Sequence, residues 1–164
     1  MCIRDCRLLR ADGSRLLVAA STGHGLIVPV DAALAQTRSG KQVLNISGLA
    51  RAVACCVVKG DMVATVGVNR KLLAFPLSEV PEMTRGKGVI LQRFKEGGLA
   101  DVTVYDSAAG LSWKAGGGRT RTETDMTPWI GKRAAAGKMP PTGFPRPAQF
   151  TRHSVYIRSH QDSG

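Results

Sequence analysis

Short apolar runs separated by turn-forming residues recur along the middle of this chain. Residues 16–20 are apolar, residues 21–25 contain two glycines beside Ser, Thr and His, and residues 26–30 are apolar again. Runs of about five residues rich in Val, Leu and Ile, broken by such turns, are typical of β-hairpins rather than helices. The pattern therefore predicts an all-β chain.

The same hairpin returns about 46 residues later. In the second copy, apolar runs at residues 62–66 and 72–75 flank a turn, and Gly86-Lys87 follows them as Gly40-Lys41 follows the first copy. A fixed period of roughly 40–50 residues is typical of repeat folds such as propellers, in which each unit forms one blade.

A third, degraded copy has the same parts in the same order: a strand, a glycine-rich turn, a return strand and a Gly-Lys pair (residues 110–114, 116–119, 120–123 and 131–132). Residues 49–58 and 99–105 supply one further strand each between the copies. About four strands per unit predict a propeller-like array of about three four-stranded blades. The proline-rich stretch at 138–147 is expected to lie extended along the surface.

Charge narrows the classes of partner. Lys and Arg number 23 against 12 acidic residues, which gives a net charge of +11. Such a field favours polyanions, either nucleic acid or an anionic membrane surface. The longest apolar run, residues 52–58, is far shorter than the roughly 20 residues of a membrane-spanning helix, and residues 1–6 have no signal-peptide core. We expect no membrane span and a cytoplasmic location.

The residues do not support catalysis or a metal site. His24 is the single histidine in the patterned region, and its place in a turn favours a solvent-exposed role. No phosphate-binding GxxxxGK[ST] loop, HExxH motif or CxxC pair is present. The four cysteines, with Cys55 and Cys56 adjacent in an apolar run, are interpreted as buried reduced thiols. We expect no catalytic residue, metal or cofactor in this chain.

Basic residues recur at equivalent places in the units, beside glycines that allow a backbone to approach a phosphate closely. On stacked blades these positions form one rim, which predicts phosphate contacts that do not read base edges. The candidate DNA-binding residues are Lys41, Arg70, Lys71, Arg85, Gly86, Lys87, Gly88, Arg119, Arg121, Lys132 and Arg133. Ordinary solvated surface charge is the alternative interpretation.

A family resemblance rests on six segments in a fixed order: GLIVP (25–29), LAFPLSEVP (73–81), MTRGKGVILQ (83–92), GLSW (110–113), WIGKR (129–133) and PPTGFP (140–145). Together they resemble the C-terminal domain of the A subunit of bacterial topoisomerase IV, in the family that includes the gyrase A subunit. The likeness covers roughly residues 16–150.

The resemblance implies a β-pinwheel whose basic outer rim binds and bends duplex DNA. In that family the full subunit cleaves DNA through a tyrosine in an N-terminal region that has no counterpart here, and Tyr105 and Tyr156 match no part of it. The implied partners are duplex DNA, the B subunit of topoisomerase IV, and a second copy of its A subunit. ATP and magnesium are implied only on other domains or subunits of an enzyme associated with the chromosome.

One motif separates the two branches of the family. The gyrase A subunit carries a QRRGGKG box, of which only Arg85-Gly86-Lys87-Gly88 is present here, with Met83-Thr84 before it. The resemblance to topoisomerase IV is therefore favoured, which implies decatenation, relaxation and chromosome segregation rather than active supercoiling.

The expected organisation has three parts. Residues 1–15 are a poorly matched N-terminal segment, residues 16–150 form a partial β-pinwheel with a proline-rich closing segment, and residues 151–164 are an unstructured tail. About three units are fewer than a full pinwheel has, so we expect a fragment of a longer protein.

Two other functions stay open. A β-propeller scaffold that binds acidic protein partners would use the same positive charge. A small hydrolase would require one of the three histidines to be essential.

Overall fold

The structure, a computed structural model, describes residues 2–3, 15–29, 41–42, 52–83, 86–95, 97–114, 119–144, 150 and 157–158. Within them the chain forms twelve strands: β1 (Cys2–Ile3), β2 (Arg15–Ala20), β3 (His24–Pro29), β4 (Lys41–Gln42), β5 (Ala52–Val57), β6 (Met62–Gly67), β7 (Leu72–Pro76), β8 (Val89–Ile90), β9 (Leu99–Tyr105), β10 (Leu111–Lys114), β11 (Thr120–Glu123) and β12 (Ile157–Arg158). The helical elements of these residues are two short 3-10 turns, Leu77–Glu79 and Thr127–Trp129.

Three sheets follow one another along the chain, each built around one hairpin. The first has the strand order β5-β2-β3-β8, the second has the order β7-β6-β9, and the third is the hairpin β10-β11. Their strands pair in antiparallel fashion. Three of the two-residue strands form a separate sheet in the order β12-β1-β4.

The first two sheets are copies of one unit, down to an irregularity in their pairing. Strand β2 pairs regularly with β5 as far as Ala19 and shifts register at Ala20, and β6 pairs regularly with β9 as far as Val66 and shifts at Gly67. A β-bulge, which bends a strand, therefore recurs 47 residues along the chain. The predicted repeat is confirmed.

The units pack face against face. One core cluster joins the first sheet to the second, through Leu17, Ala19 and Ile27 on one side and Val63, Leu73 and Phe75 on the other. A second cluster joins the opposite face of the second sheet to the third, through Ala64, Val66, Leu72 and Ala74 on one side and Leu111 and Trp113 on the other. Successive residues of a strand point to opposite faces, and both faces of the second sheet are covered. Its strands are therefore apolar at successive positions rather than at alternate ones.

Two polar side chains, Thr65 and Gln92, are fully buried among the described residues. Gln92 accepts a hydrogen bond from the Thr65 hydroxyl at 2.9 Å. Its amide donates to the carbonyls of Lys71 at 2.9 Å and Ala136 at 3.0 Å. All three bonds exist only when the second sheet and the loop after the third are in place, so Gln92 links elements distant in sequence.

The all-β, propeller-like class with about three blades is confirmed, and the described parts of the three sheets contain four, three and two strands. Cys56 is buried and free, and burial raises the pKa of its thiol to about 12. Most of the predicted N-terminal segment 1–15 and tail 151–164 lies outside the described residues, and the domain bounds stay predictions.

Candidate nucleic-acid interface

The segment that leads into β8 closes the first sheet, and we call residues 81–90 the first loop. Its start is bonded to β3: the Ile27 amide donates to the Pro81 carbonyl at 3.0 Å, and the Met83 amide donates to the Ile27 carbonyl at 2.7 Å. Its end, β8, pairs with the beginning of β3. Both ends of the loop are thus fixed to the same strand.

The tip of the first loop is Gly86-Lys87-Gly88. Gly88 has a φ of 78°, and a Cβ added to it would overlap the carbonyl oxygen of Gly25 in β3. Only glycine allows the loop backbone to lie this close to the strand. Lys87, between the two glycines, is exposed. The geometry therefore presents one cation on a backbone that is held tightly against the sheet.

Residues 129–138, the second loop, close the second sheet in the same way. Ile130 forms a parallel bridge to Ala74 in β7, and the Gly131 amide donates to the Ala74 carbonyl at 2.8 Å. At the other end, Lys138 and Leu72 exchange two backbone hydrogen bonds of 2.9 and 2.7 Å. The anchors match those of the first loop.

Backbone bonding changes the alignment of the two loops. The bond from Met83 to Ile27 in the first unit corresponds to the bond from Gly131 to Ala74 in the second. Gly131 therefore matches Met83, and the expected match of Gly131-Lys132 with Gly86-Lys87 is wrong. The sequence spacing misled because a Gly-Lys pair is a common local feature, whereas the bonds to β3 and β7 define the unit.

The second loop consequently carries its charge differently. The residue that matches Gly88 is Gly137, which has a φ of 82° and a Cβ position against the Leu72 carbonyl. Ala135 and Ala136 therefore occupy the positions of Gly86 and Lys87. Ala135 is partly buried against the first core cluster. The exposed cations of this loop are Lys132, three residues before Ala135, and Lys138 at its end. Both loops thus present a lysine, but at different points of the same backbone path.

Three of the predicted arginines donate to backbone carbonyls. Arg70 bonds the Phe144 carbonyl at 3.1 Å, Arg121 bonds the Thr142 carbonyl at 2.8 Å, and Arg133 bonds the Ile90 carbonyl at 2.8 Å. The first two tie the closing segment to the second and third sheets, and the third ties the second loop to β8. These side chains hold the rim together.

The other predicted residues occupy varied positions. Lys71 follows the β6–β7 turn and is partly buried, whereas Arg119, before β11, is exposed. Gly86 has a φ of 156°. Lys41 belongs to β4, but its side chain lies outside the described residues, and so does the whole of Arg85.

Three cations in or near the loops escaped the sequence prediction: Lys138 at the end of the second loop, Arg93 and Lys95. Arg93 and Lys95 are exposed in the segment between β8 and β9. This segment lies at the hairpin-turn end of the sheets, because the Leu91 amide bonds the Gly23 carbonyl at 2.7 Å and the Val68 amide bonds the Gly98 carbonyl at 2.8 Å. The sequence prediction selected cations that recur at the repeat period, and Arg93 and Lys95 do not recur. Their positive charge near the Gly-Lys-Gly motif could have identified them.

The opposite end of the sheets carries exposed carboxylates. Asp61 and Asp106 lie just outside β6 and β9. The amide and hydroxyl of Ser107 bond Asp61 at 2.8 and 2.7 Å, and these bonds lower the pKa of Asp61 below its usual value. The hairpin-turn end thus carries Arg93 and Lys95, and the opposite end carries the fixed negative charge of Asp61.

In the part of the chain that the structure describes, no three His, Cys, Asp or Glu side chains gather in a way that could hold a metal ion. Among the same residues, no helix is long and apolar enough to cross a membrane.

Relatives with known names share most of this chain. The DNA topoisomerase 4 A subunit of Rickettsia bellii is 43% identical over 136 residues, which are 83% of this chain and 18% of that protein. The protein of the same name from Caulobacter vibrioides is 43% identical over 138 residues, 84% of this chain and 18% of that protein. The chain thus spans less than a fifth of these relatives' length. No protein-family model matches the chain.

A solved structure shares the fold. The C-terminal domain of Escherichia coli ParC superposes with a TM-score of 0.69 at 23% identity, covering 82% of this chain and 59% of that domain. This likeness supports the pinwheel architecture.

Proposed function

Because the chain belongs to the family of DNA topoisomerase IV A subunits and has the fold of their C-terminal domain, we propose that it binds and bends duplex DNA through the phosphate backbone. The two loops are the proposed contact surface. Binding of this kind is independent of base sequence and weakens steeply as salt rises.

The observation that carries the proposal is the first-loop tip. Gly88 lies against the Gly25 backbone and Lys87 is exposed beside it. A phosphate approaching this tip meets a lysine without a bulky side chain on either side. Lysine acts as a point charge and does not demand one geometry, which suits contacts made at any sequence.

The arginine bonds divide the proposed contacts into two groups. Lys87, Lys132, Lys71 and Arg119 are the proposed direct phosphate ligands, and Arg93 and Lys95 extend this group. Arg70, Arg121 and Arg133 already donate to carbonyls. A guanidinium has five N–H donors, so these arginines can add a phosphate bond while Arg70 and Arg121 hold the closing segment and Arg133 holds the second loop. Lys41 and Arg85 remain proposed contacts on sequence grounds.

We further propose that the chain acts as part of a longer protein. In this proposal, DNA cleavage and the binding of ATP and magnesium belong to other domains or to the B subunit. A second copy of the A subunit completes the enzyme. This chain delivers DNA to that enzyme, in the cytoplasm at the chromosome. The incomplete QRRGGKG box supports decatenation and relaxation rather than supercoiling as the activity served.

Salt dependence of binding in lysine variants of the full chain tests the proposal. Lys87→Ala and Lys132→Ala should each flatten the plot of log K against log salt by about 0.9, the value for one lost phosphate contact. The loss should be equal for duplexes of unrelated sequence, because no base edge is read.

Lys59→Ala is the matched control. Lys59 is exposed before β6, at the end of the sheets that carries Asp61, and its loss changes the net charge equally. It should leave the slope within about 0.3 of the parent value. If all three variants keep the parent slope, the loops do not contact DNA. A folded chain that binds no DNA at low salt would instead favour the scaffold for acidic protein partners.

A further inference from the structure

His24 is an ionisable side chain beside the first loop, and it is not among the proposed phosphate contacts. His24 is the first residue of β3 and pairs with Ile90 of β8. The next pair, Gly25 with Val89, lies where Gly88 touches the strand. The imidazole is therefore fixed to the same backbone that fixes the Lys87 tip.

The surroundings of His24 favour its neutral form. The ring is partly buried, and its Nδ1 lies 3.0 Å from the Thr22 hydroxyl. Burial first, and then the positive charge of Lys87, lower its pKa below 6.5. Hydrogen bonding at Nδ1 leaves Nε2 as the atom available to a ligand.

Neighbouring elements bring no carboxylate toward this ring among the described residues. Strand β2 pairs Ala19 with the adjacent Gly25, and β8 pairs Ile90 with His24. The charged group that acts on the ring is the cation Lys87, so an imidazolium here lacks a counterion until an anion arrives.

We infer that His24 is a further phosphate contact of the first loop, and that it takes up a proton when a DNA phosphate binds beside Lys87. The inference rests on the proposed DNA binding and deepens it. A phosphate monoanion offsets the Lys87 charge and accepts a hydrogen bond from the protonated ring, and both effects favour the charged form.

Linkage fixes the sign of the effect. In the free protein the lowered pKa means that protonation opposes folding, so the His24 contribution to stability is present above pH 6.5 and is lost as pH falls through the folded pKa. In the complex the pKa rises, so DNA affinity increases as pH falls from about 8 to about 6. A rise of one pKa unit gives about a tenfold gain in affinity.

The test combines two measurements on the full chain. Histidine ring NMR signals are titrated with and without a short duplex, and duplex affinity is measured from pH 6 to pH 8 at fixed salt. We expect the His24 pKa to rise by about one unit on binding and the parent affinity to rise severalfold from pH 8 to pH 6, toward the limit of about tenfold that applies below both pKa values. In His24→Gln, which keeps a hydrogen-bonding side chain, the pH dependence should fall below about twofold.

Variants at the other two histidines, His153→Gln and His160→Gln, are the matched controls and should keep the parent pH dependence. An unchanged His24 pKa in the complex, or a pH dependence that survives in His24→Gln, would overturn the inference while DNA binding stands. Absence of DNA binding by the parent chain at every pH would overturn the proposed function itself.

Discussion

The first and second loops follow one backbone path and carry different side chains. Each is bonded to the return strand of its hairpin at both ends, through Ile27 and Gly25 in one unit and through Ala74 and Leu72 in the other. The first loop presents a lysine between two glycines, whereas the second keeps only the later glycine, Gly137, after Ala135 and Ala136, and presents Lys132 earlier. The two units thus share the same backbone pairing, but the exposed lysine occupies a different position in each loop.

This difference suits a surface that binds phosphates and ignores bases. Phosphates repeat along DNA at close intervals, and a flexible lysine reaches them from more than one place. The units therefore need a common path for the rim and only an approximate position for each cation. Four substitutions distinguish residues that stabilise the loop backbone from residues that carry the positive charge.

Gly88→Ala should produce the largest effect. The substitution places a side chain at a φ of 78° and against the Gly25 carbonyl, so the β3–β8 pairing must open. We expect the free energy of unfolding to fall by about 2–4 kcal/mol, measured by denaturant titration. Gly137→Ala, at the corresponding place of the second loop, should cost less, about 1–2 kcal/mol, because its Cβ position lies farther from the facing Leu72 carbonyl. Equal effects of the two changes would show that the first loop is not held more tightly than the second.

Gln92→Leu should rank second. It removes the bonds from Gln92 to Thr65, Lys71 and Ala136 and leaves their polar groups without this partner. We expect a loss of about 2–3 kcal/mol in unfolding free energy. Thr65→Val, which removes one of the three bonds, should cost about 1 kcal/mol. A neutral Gln92→Leu variant would mean that the second loop is held by its other bonds alone.

Arg133→Lys should have a smaller effect, on both stability and binding. Lysine keeps the charge but loses the planar donor that bonds the Ile90 carbonyl. A loss of about 1 kcal/mol in stability is expected, with an unchanged salt slope because the number of cations is unchanged. A slope reduced by about 0.9 would identify Arg133 as a direct phosphate ligand instead.

Ala134→Gly should give the smallest effect and the opposite sign. Ala134 has a φ of 69°, a conformation that costs a residue with a Cβ about 1–2 kcal/mol. Glycine removes this strain but adds unfolded-state entropy worth about 0.5–1 kcal/mol. A net gain of about 0.5–1 kcal/mol in thermal or denaturant unfolding is expected. A loss of stability would show that the second loop does not need the left-handed residue.

The sequence was sufficient to predict the hairpins because their pattern is local. Apolar runs and the glycine turn at 21–23 lie within a few residues of each other, and the bulge repeats with them. The position of the second loop could not be predicted in the same way. Its bonds to Ala74 join residues 57 apart in the chain, and a nearby Gly-Lys pair suggested a false alignment.

The roles of the cations were predicted only in part. An arginine that binds a carbonyl and an arginine that binds a phosphate are the same letter in a sequence. Arg70 reaches Phe144, 74 residues away, and nothing near Arg70 in the chain signals that contact. Lys87 was identified because glycines surround it locally, and Lys95 was missed because it has no counterpart in the other unit.

Phosphate binding by the two loops is tested most directly by the affinity of the full parent chain for two duplexes of unrelated sequence, measured between about 50 and 200 mM salt. If the loops form a phosphate-binding rim, both duplexes should bind with equal affinity. The slope of log K against log salt should be steeper than about −2.7, which corresponds to three or more contacts. A folded chain whose affinity differs strongly between the two sequences, or does not respond to salt, would contradict it.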